Sequence, residues 1–227
     1  MTACRRVIPL RDTIASSTVP VVTYALIAAN VGVYVYQESL GAAGESFVAI
    51  HGLVPRRFVT EWWSDVTPLF TSMFLHGGWL HLLGNLLYLH IFGDNVEDRL
   101  GHARFLLLYV LAGATAGIAQ VLIHPGTAVP MVGASGAIAG VTGAYLLFYP
   151  RARVVTLVPI FLFVQLVEIP AFFFLFFWFA FQLLLGLGSI GTTTGGGIAF
   201  WAHIGGFVAG MVLGPALAPR PLVRPAW

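Results

Sequence analysis

The sequence has no lysine, a single cysteine (Cys4) and little charge of either sign. Of its 227 residues only 9% are charged and 58% are hydrophobic, whereas a soluble globular domain carries about 25% charge. One cysteine excludes an internal disulfide and a cysteine-based zinc cluster. A net charge of +2, carried by scattered arginines, gives no argument for a nucleic-acid partner. The composition therefore predicts an integral membrane protein with one domain.

Long hydrophobic runs are what the sequence has in abundance. A spanning helix needs about 20 mostly apolar residues, and six segments meet this length loosely. They are residues 19–37, 79–93, 104–123, 133–149, 170–187 and 199–217. The run 154–187 would reach roughly 50 Å as one helix, so we divide it at Pro170 and expect residues 154–168 to lie at, or dip into, the membrane interface. The predicted fold class is an all-α membrane protein with six transmembrane helices.

The arginines predict how the chain is oriented. With six spans, nine of the eleven arginines fall on one side of the membrane. These are Arg5, Arg6, Arg11, Arg99, Arg104, Arg151, Arg153, Arg220 and Arg224. Because positive charge accumulates on the cytoplasmic side, we expect both termini there, with 1–18 and 218–227 as cytoplasmic segments around a membrane domain at 19–217. The simple six-helix form favours a multi-pass protein of the cell (inner or plasma) membrane.

Two loops on the opposite side have distinctive compositions. The large outer loop, 38–78, is rich in tryptophan and phenylalanine, which favour the headgroup level of a membrane. We expect it to form short helices partly embedded in the outer leaflet. Residues 187–198 are rich in glycine and threonine, and we expect this outer loop to act as a lid.

Four polar residues are predicted to meet at one depth. Ser135 lies in Gly-Ala-Ser-Gly near the start of the fourth segment, and His203 lies in Ala-His-Ile-Gly-Gly near the start of the sixth. His81 and Asn85 are four residues apart in the second segment, which puts them on one helix face. All three segments run inward from the outer side. Polar groups inside a membrane are usually functional.

This set of side chains has the chemistry of a serine hydrolase. We expect His203 to take the Ser135 proton, and the Ser135 backbone N–H with His81 and Asn85 to stabilise an oxyanion. Small residues such as Gly133, Gly136 and Gly206 would let the helices approach closely. No carboxylate is predicted near His203, so the site is interpreted as a Ser-His dyad.

The motifs resemble those of the rhomboid family of intramembrane serine proteases in its bacterial-type, six-helix form. The likeness covers roughly residues 20–217. It rests on four segments: His81-Leu-Leu-Gly-Asn85, the turn Gly93–Gly101, Gly133-Ala-Ser-Gly136 and Ala202–Gly210.

The resemblance implies a function in more detail. It implies a Ser135–His203 dyad with His81 and Asn85 as oxyanion partners, a supporting role for His76, and no cofactor or metal. Substrates would be single-pass membrane proteins, cut near the outer end of their spanning segments within the lipid bilayer. Two residues depart from the family pattern: Ser64 follows Trp63 where an arginine is common, and Ala139 replaces an aromatic that packs on the histidine in some members.

Other interpretations of these residues stay open from sequence. Gly-Ala-Ser-Gly is also a helix-packing motif, and His81 and Asn85 could join neighbouring helices. Three histidines (His76, His81 and His203) would suit zinc, but no His-Glu-x-x-His helix is present. A transporter lacks support from an inverted repeat. The main alternative is a non-catalytic pseudoprotease or chaperone that binds membrane helices on the same fold.

Overall fold

Helices make up most of the protein. The computed structural model describes residues 8–160, 163–190 and 198–219. Within these ranges the helices are α1 (Val21–Ser39), α2 (Gly44–His51), α3 (Pro55–Glu61), α4 (Pro68–Thr71), α5 (Trp79–Leu100), α6 (His102–Ile123), α7 (Ser135–Phe148), α8 (Ala171–Gly188) and α9 (Phe200–Leu217). The six long helices coincide with the six predicted segments to within a few residues, with one exception at α5.

Three of the long helices, α6, α8 and α9, have both the length and the apolar composition to cross a membrane, and α7 is a shorter apolar helix; this holds for the part of the chain that the structure describes. Buried polar side chains lower the hydropathy of α1, where Thr23, Asn30 and Gln37 are all buried. Membrane spanning by all six helices stays a prediction, as does the cytoplasmic placement of both termini. Four of the nine arginines behind that placement, Arg5, Arg6, Arg220 and Arg224, lie outside the described residues.

Helix α5 is longer than predicted. The sequence indicated a turn after residue 93, but the helix continues to Leu100 and ends at Gly101, whose φ is +79°. Two acidic residues of this last stretch, Glu97 and Asp98, are bonded to the start of α1 and to the residues just before it. Asp98 accepts hydrogen bonds from the hydroxyls of Ser17 and Thr18 at 2.9 and 2.6 Å. These partners come from a segment about 80 positions earlier, which is why local sequence did not reveal them.

A small three-stranded sheet was not predicted. Strands β1 (Ile8–Asp12), β2 (Arg153–Ile160) and β3 (Phe163–Pro170) pair in the order β1-β2-β3, and both pairings are antiparallel. The all-α prediction is therefore incomplete. Of the segment 154–168, expected at the membrane interface, residues 154–160 and 163–168 lie in the two strands of a hairpin. Valine and isoleucine are frequent in both strands and favour extended backbone. An apolar run alone does not distinguish a strand from a helix segment.

The large loop between α1 and α5 forms the short helices that were expected there, α2 to α4. Arg57 holds the loop together, because its guanidinium donates hydrogen bonds to the carbonyl oxygens of Ala49 (2.8 Å), Ile50 (2.9 Å) and Gly52 (3.2 Å). Arg57 thus supplies a guanidinium anchor in a loop where Ser64 follows Trp63. Embedding of this loop in a membrane leaflet stays a prediction.

Helix α7 lies at the centre of the molecule. Every residue from Gly136 to Leu146 is buried, and α7 packs against α9, α6 and α5. The core beneath it contains large rings, including Phe92, Tyr109 and Tyr145, all fully buried. A short helix surrounded in this way holds its first residue, Ser135, in a fixed place.

Candidate active site

Three helices begin close to one another at the end of the bundle that faces the large loop. Helix α5 starts at Trp79, α7 at Ser135 and α9 at Phe200. His81, Ser135 and His203 therefore all lie in the first turns of their helices. The free backbone N–H groups of a helix start favour negative charge nearby.

The predicted nucleophile and base are in contact. His203 Nε2 lies 2.8 Å from Ser135 Oγ, a normal hydrogen-bond distance for two residues 68 positions apart. A neutral imidazole with a free lone pair on Nε2 can accept the serine hydroxyl proton. This is the geometry that a general base requires.

Glycines bring the two helices of this pair together. A Cβ atom at Gly206 would lie 2.0 Å from the carbonyl oxygen of Gly136, and one at Gly210 would lie 1.8 Å from that of Gly140. The contacts advance by four residues along both helices, so α7 and α9 run parallel with backbone against backbone. This is the packing that small residues four apart allow in membranes.

His81 and Asn85 lie beside Gly133, just before Ser135. Gly133 has φ +125°, a backbone conformation that favours glycine, and its N–H donates to the Ser72 carbonyl at 2.9 Å. A Cβ here would lie 2.7 Å from His81 Cε1 and 3.6 Å from Asn85 Nδ2. The absence of a side chain at 133 therefore leaves room for both polar groups next to the serine.

His76 lies behind Asn85. Its Nε2 accepts a hydrogen bond from Asn85 Nδ2 at 3.0 Å, and its Nδ1 faces the Phe74 carbonyl at 3.3 Å. The Gln37 side chain bonds both the N–H and the carbonyl of His76, at 3.3 and 2.7 Å. Burial, with the nearby His81, lowers the pKa of His76 to about 4. A neutral His76 accepts from Asn85 and so fixes the amide orientation.

A cavity of about 880 Å³ opens onto these groups. Its wall includes His81, Asn85, Ser135 and His203, while His76 lies outside the wall. A volume of this order accommodates several side chains of a polypeptide. The lid expected at 187–198 is described only at its two ends, because residues 191–197 lie outside the described residues.

Two residues of α8 that contact His203 were missed by the sequence argument. Gln182 Oε1 lies 2.8 Å from His203 Nδ1, and the Trp178 ring lies 5.9 Å from the imidazole, tilted by 37°. Trp178 thus supplies the aromatic contact that Ala139 lacks. The available signal was a lone glutamine in an otherwise apolar helix, a costly residue unless it has a partner.

No group of three or more histidine, cysteine or acidic side chains is arranged to hold a metal ion within the described ranges. His76, His81 and His203 do not form such a group. His76 and His81 pack edge to face with ring centroids 5.2 Å apart, and His203 is bonded to Ser135 and Gln182 instead.

The model of the Rhomboid domain matches residues 59–220, well over half of the chain. The chain belongs to the rhomboid family. The resemblance predicted from its motifs is confirmed, and with it a mainly helical membrane protein related to intramembrane proteases.

Individual relatives agree with the family match. The Bacillus subtilis protein YdcA is 43% identical over 86 residues, which are 38% of this chain and 41% of YdcA. Rhomboid protease GluP of the same organism is 38% identical over 131 residues, 56% of this chain and 24% of GluP. RHOMBOID-like protein 4 of Arabidopsis thaliana is 34% identical over 160 residues, 67% of this chain and 34% of that protein. The matched segments span less than half the length of these relatives.

Proposed function

We propose that this rhomboid protein is an intramembrane serine endopeptidase that hydrolyses peptide bonds at or near the outer end of transmembrane segments. Its substrates are single-pass membrane proteins. The observation that carries the proposal is the 2.8 Å contact between Ser135 Oγ and His203 Nε2. Supporting it are the cavity that borders both residues and the protease names of relatives such as GluP.

The reaction follows from this pair. His203 Nε2 accepts the hydroxyl proton while Ser135 Oγ bonds to the scissile carbonyl carbon. When the tetrahedral intermediate collapses, the C–N bond breaks and His203 returns the proton to the leaving amine. Water then repeats the sequence on the acyl-enzyme, with His203 again acting as base.

Donors for the oxyanion lie on the same side of the cavity. Asn85 Nδ2 donates one of its two hydrogens to His76. Its second hydrogen is available to a group in the cavity, whose wall includes Asn85. His81 Nδ1 faces the Gly77 N–H at 3.4 Å, which favours a proton on Nε2, the ring nitrogen that a Cβ at Gly133 would approach to 2.8 Å. Together with the Ser135 N–H these groups can stabilise an oxyanion next to the serine.

Water must reach the serine for deacylation. The cavity wall includes the polar side chains of Gln120 and His124. A polar wall can hold water that a purely apolar pocket would exclude. The same cavity therefore serves both the peptide and the second reactant.

The first experiment is labelling of the detergent-solubilised protein with a fluorophosphonate probe, which reacts with activated serines. We expect labelling of the wild type and none of Ser135→Ala or His203→Ala, with all three shown to be folded by a cooperative thermal unfolding transition. A folded wild type that neither reacts with the probe nor cleaves a membrane-protein substrate would refute the protease and favour a helix-binding pseudoprotease.

A further inference from the structure

Helix α8 is apolar along almost its whole length, and Gln182 is its one amide side chain. Gln182 is only 9% exposed. A buried amide without a hydrogen-bond partner destabilises a protein, because its lost hydrogen bonds to water are not replaced. Its oxygen meets His203 Nδ1 at 2.8 Å, so the partner is the proposed catalytic base.

This contact constrains where the imidazole proton sits. An amide oxygen can only accept, so the bond requires the proton on His203 Nδ1. Nε2 then carries the free lone pair that the Ser135 hydroxyl needs at 2.8 Å. The reverse orientation of the amide would put an NH2 group against Nδ1 and leave Nε2 protonated against the serine. With the Gln182 oxygen on Nδ1, as observed, only the Nδ1–H tautomer leaves Nε2 free to accept the Ser135 proton.

Trp178 restrains the same ring from the same helix. It precedes Gln182 by four residues, so both side chains project from one face of α8. Its ring packs on the imidazole and also on Phe207 of α9, at 5.9 Å in each case. The amide thus fixes the proton position while the indole restricts the tilt of the imidazole ring.

We propose that Gln182 is a positioning residue for the reaction, and that the unit is Ser135, His203 and an orienting amide rather than a free-standing dyad. The inference rests on the proposed protease function. When the Ser135 proton moves to Nε2, the Nδ1–H stays on the Gln182 oxygen and the imidazolium keeps an acceptor. The same hydrogen bond persists while Nε2 returns its proton to the leaving amine. A histidine oriented by an amide also occurs in cysteine proteases of another fold.

The test compares three variants of the full chain in detergent: Gln182→Met, Gln182→Glu and, as a matched control, Leu183→Met on the exposed face of α8. The readout is the second-order rate of fluorophosphonate labelling, normalised to folded protein. Methionine keeps the length but removes the acceptor. We expect a loss of roughly tenfold to a hundredfold, by analogy with the effect of removing the hydrogen-bond partner of a metal-bound histidine. Glutamate keeps the acceptor and should stay within a few-fold of wild type, as should Leu183→Met.

A spectroscopic measurement separates positioning from packing. In ¹⁵N-histidine spectra, with His203→Ala used to assign the signal, wild-type His203 should carry its proton on Nδ1, and Gln182→Met should lose this preference. A wild-type proton on Nε2, or a Gln182→Met rate equal to wild type, would overturn the inference. Failure of the proposed function looks different, because wild type itself would then show no labelling.

Discussion

The two ends of α5 carry buried polar residues, but the two sets differ in what they face. At its start, Asn85 shares one hydrogen bond with His76 and borders a cavity. Near its end, Glu97 is 1% exposed and accepts bonds from the Val22 N–H, the Thr23 N–H and the Thr23 hydroxyl at 2.8, 2.7 and 2.7 Å. Its carboxylate also contacts His102 Nδ1 at 2.5 Å.

The difference separates reactivity from stability. Hydrogen-bond donors and acceptors that are paired within the protein hold its helices together. A donor that faces the cavity unpaired is available to a reacting group. Loss of the Glu97 carboxylate should therefore lower the stability of the protein without slowing the proposed reaction. Loss of the Asn85 amide should slow the proposed reaction with little effect on stability.

The largest effect is expected at Asn85. Replacing it with alanine removes one oxyanion donor, which lowers kcat/KM by about 10²–10³-fold when the donor acts on the transition state. Stability should change by about 1 kcal/mol, since only the His76 bond is lost. The measurements are cleavage of a reconstituted membrane substrate and the unfolding midpoint in detergent. Equal activity of Asn85→Ala and wild type would remove Asn85 from the oxyanion site.

A smaller effect, on stability alone, is expected at Glu97. Glu97→Ala leaves two backbone N–H groups and the Thr23 hydroxyl without their acceptor, and we expect a loss of about 2–3 kcal/mol in the free energy of unfolding. Glu97→Gln keeps one acceptor oxygen, so its free energy of unfolding should lie between those of wild type and Glu97→Ala. Probe labelling per folded molecule should match wild type in both variants, and a hundredfold loss there would break the comparison.

The smallest effect is a pH dependence at Asp12, in β1. Its carboxylate accepts from the Tyr145 hydroxyl at 2.5 Å and from Asn95 Nδ2 at 3.0 Å. Burial, partly offset by the Tyr145 hydrogen bond and reinforced by the charge of Asp94, raises the pKa of Asp12 above its usual 3.8.

Since the folded state binds this proton more tightly than the unfolded state, the contribution to stability is complete below 3.8 and is lost as pH rises through the raised pKa. The unfolding midpoint of wild type minus that of Asp12→Asn should therefore fall as pH rises across that window. A difference that is flat with pH would show that Asp12 titrates normally.

Local composition was enough to place the long helices and the pair Ser135–His203. A long apolar run predicts a helix without any knowledge of which distant residues contact it. The glycines of α7 and α9 likewise predict close packing of these two helices. The extension of α5 to Leu100 was missed because its carboxylates are satisfied by residues 17–23, which no local pattern reveals. The β2–β3 hairpin was missed because apolar runs are ambiguous between strand and helix.

The four residues of the proposed active site were predicted from the sequence, but the residues that contact His203 from α8 were not. Ser135, His203, His81 and Asn85 carry recognisable chemistry, and the structure brings all four to one cavity. Gln182 directly follows the phenylalanine-rich run 172–181, where no local pattern shows which face of the helix packs against the protein. Its role depends on how α8 is rotated against α9, and rotation is a tertiary property that composition does not encode.

The bonds that Glu97 accepts have a consequence for the order of assembly. Helix α1 starts after Pro20 without a side-chain cap of its own, and the acceptor for its first N–H groups lies 74 and 75 positions further along the chain. During synthesis, the first N–H groups of α1 therefore cannot bond to Glu97 until the end of α5 has been made. Formation of α1 and its final docking against α5 are therefore separate events, and the hydrogen bonds to Glu97 form only in the second.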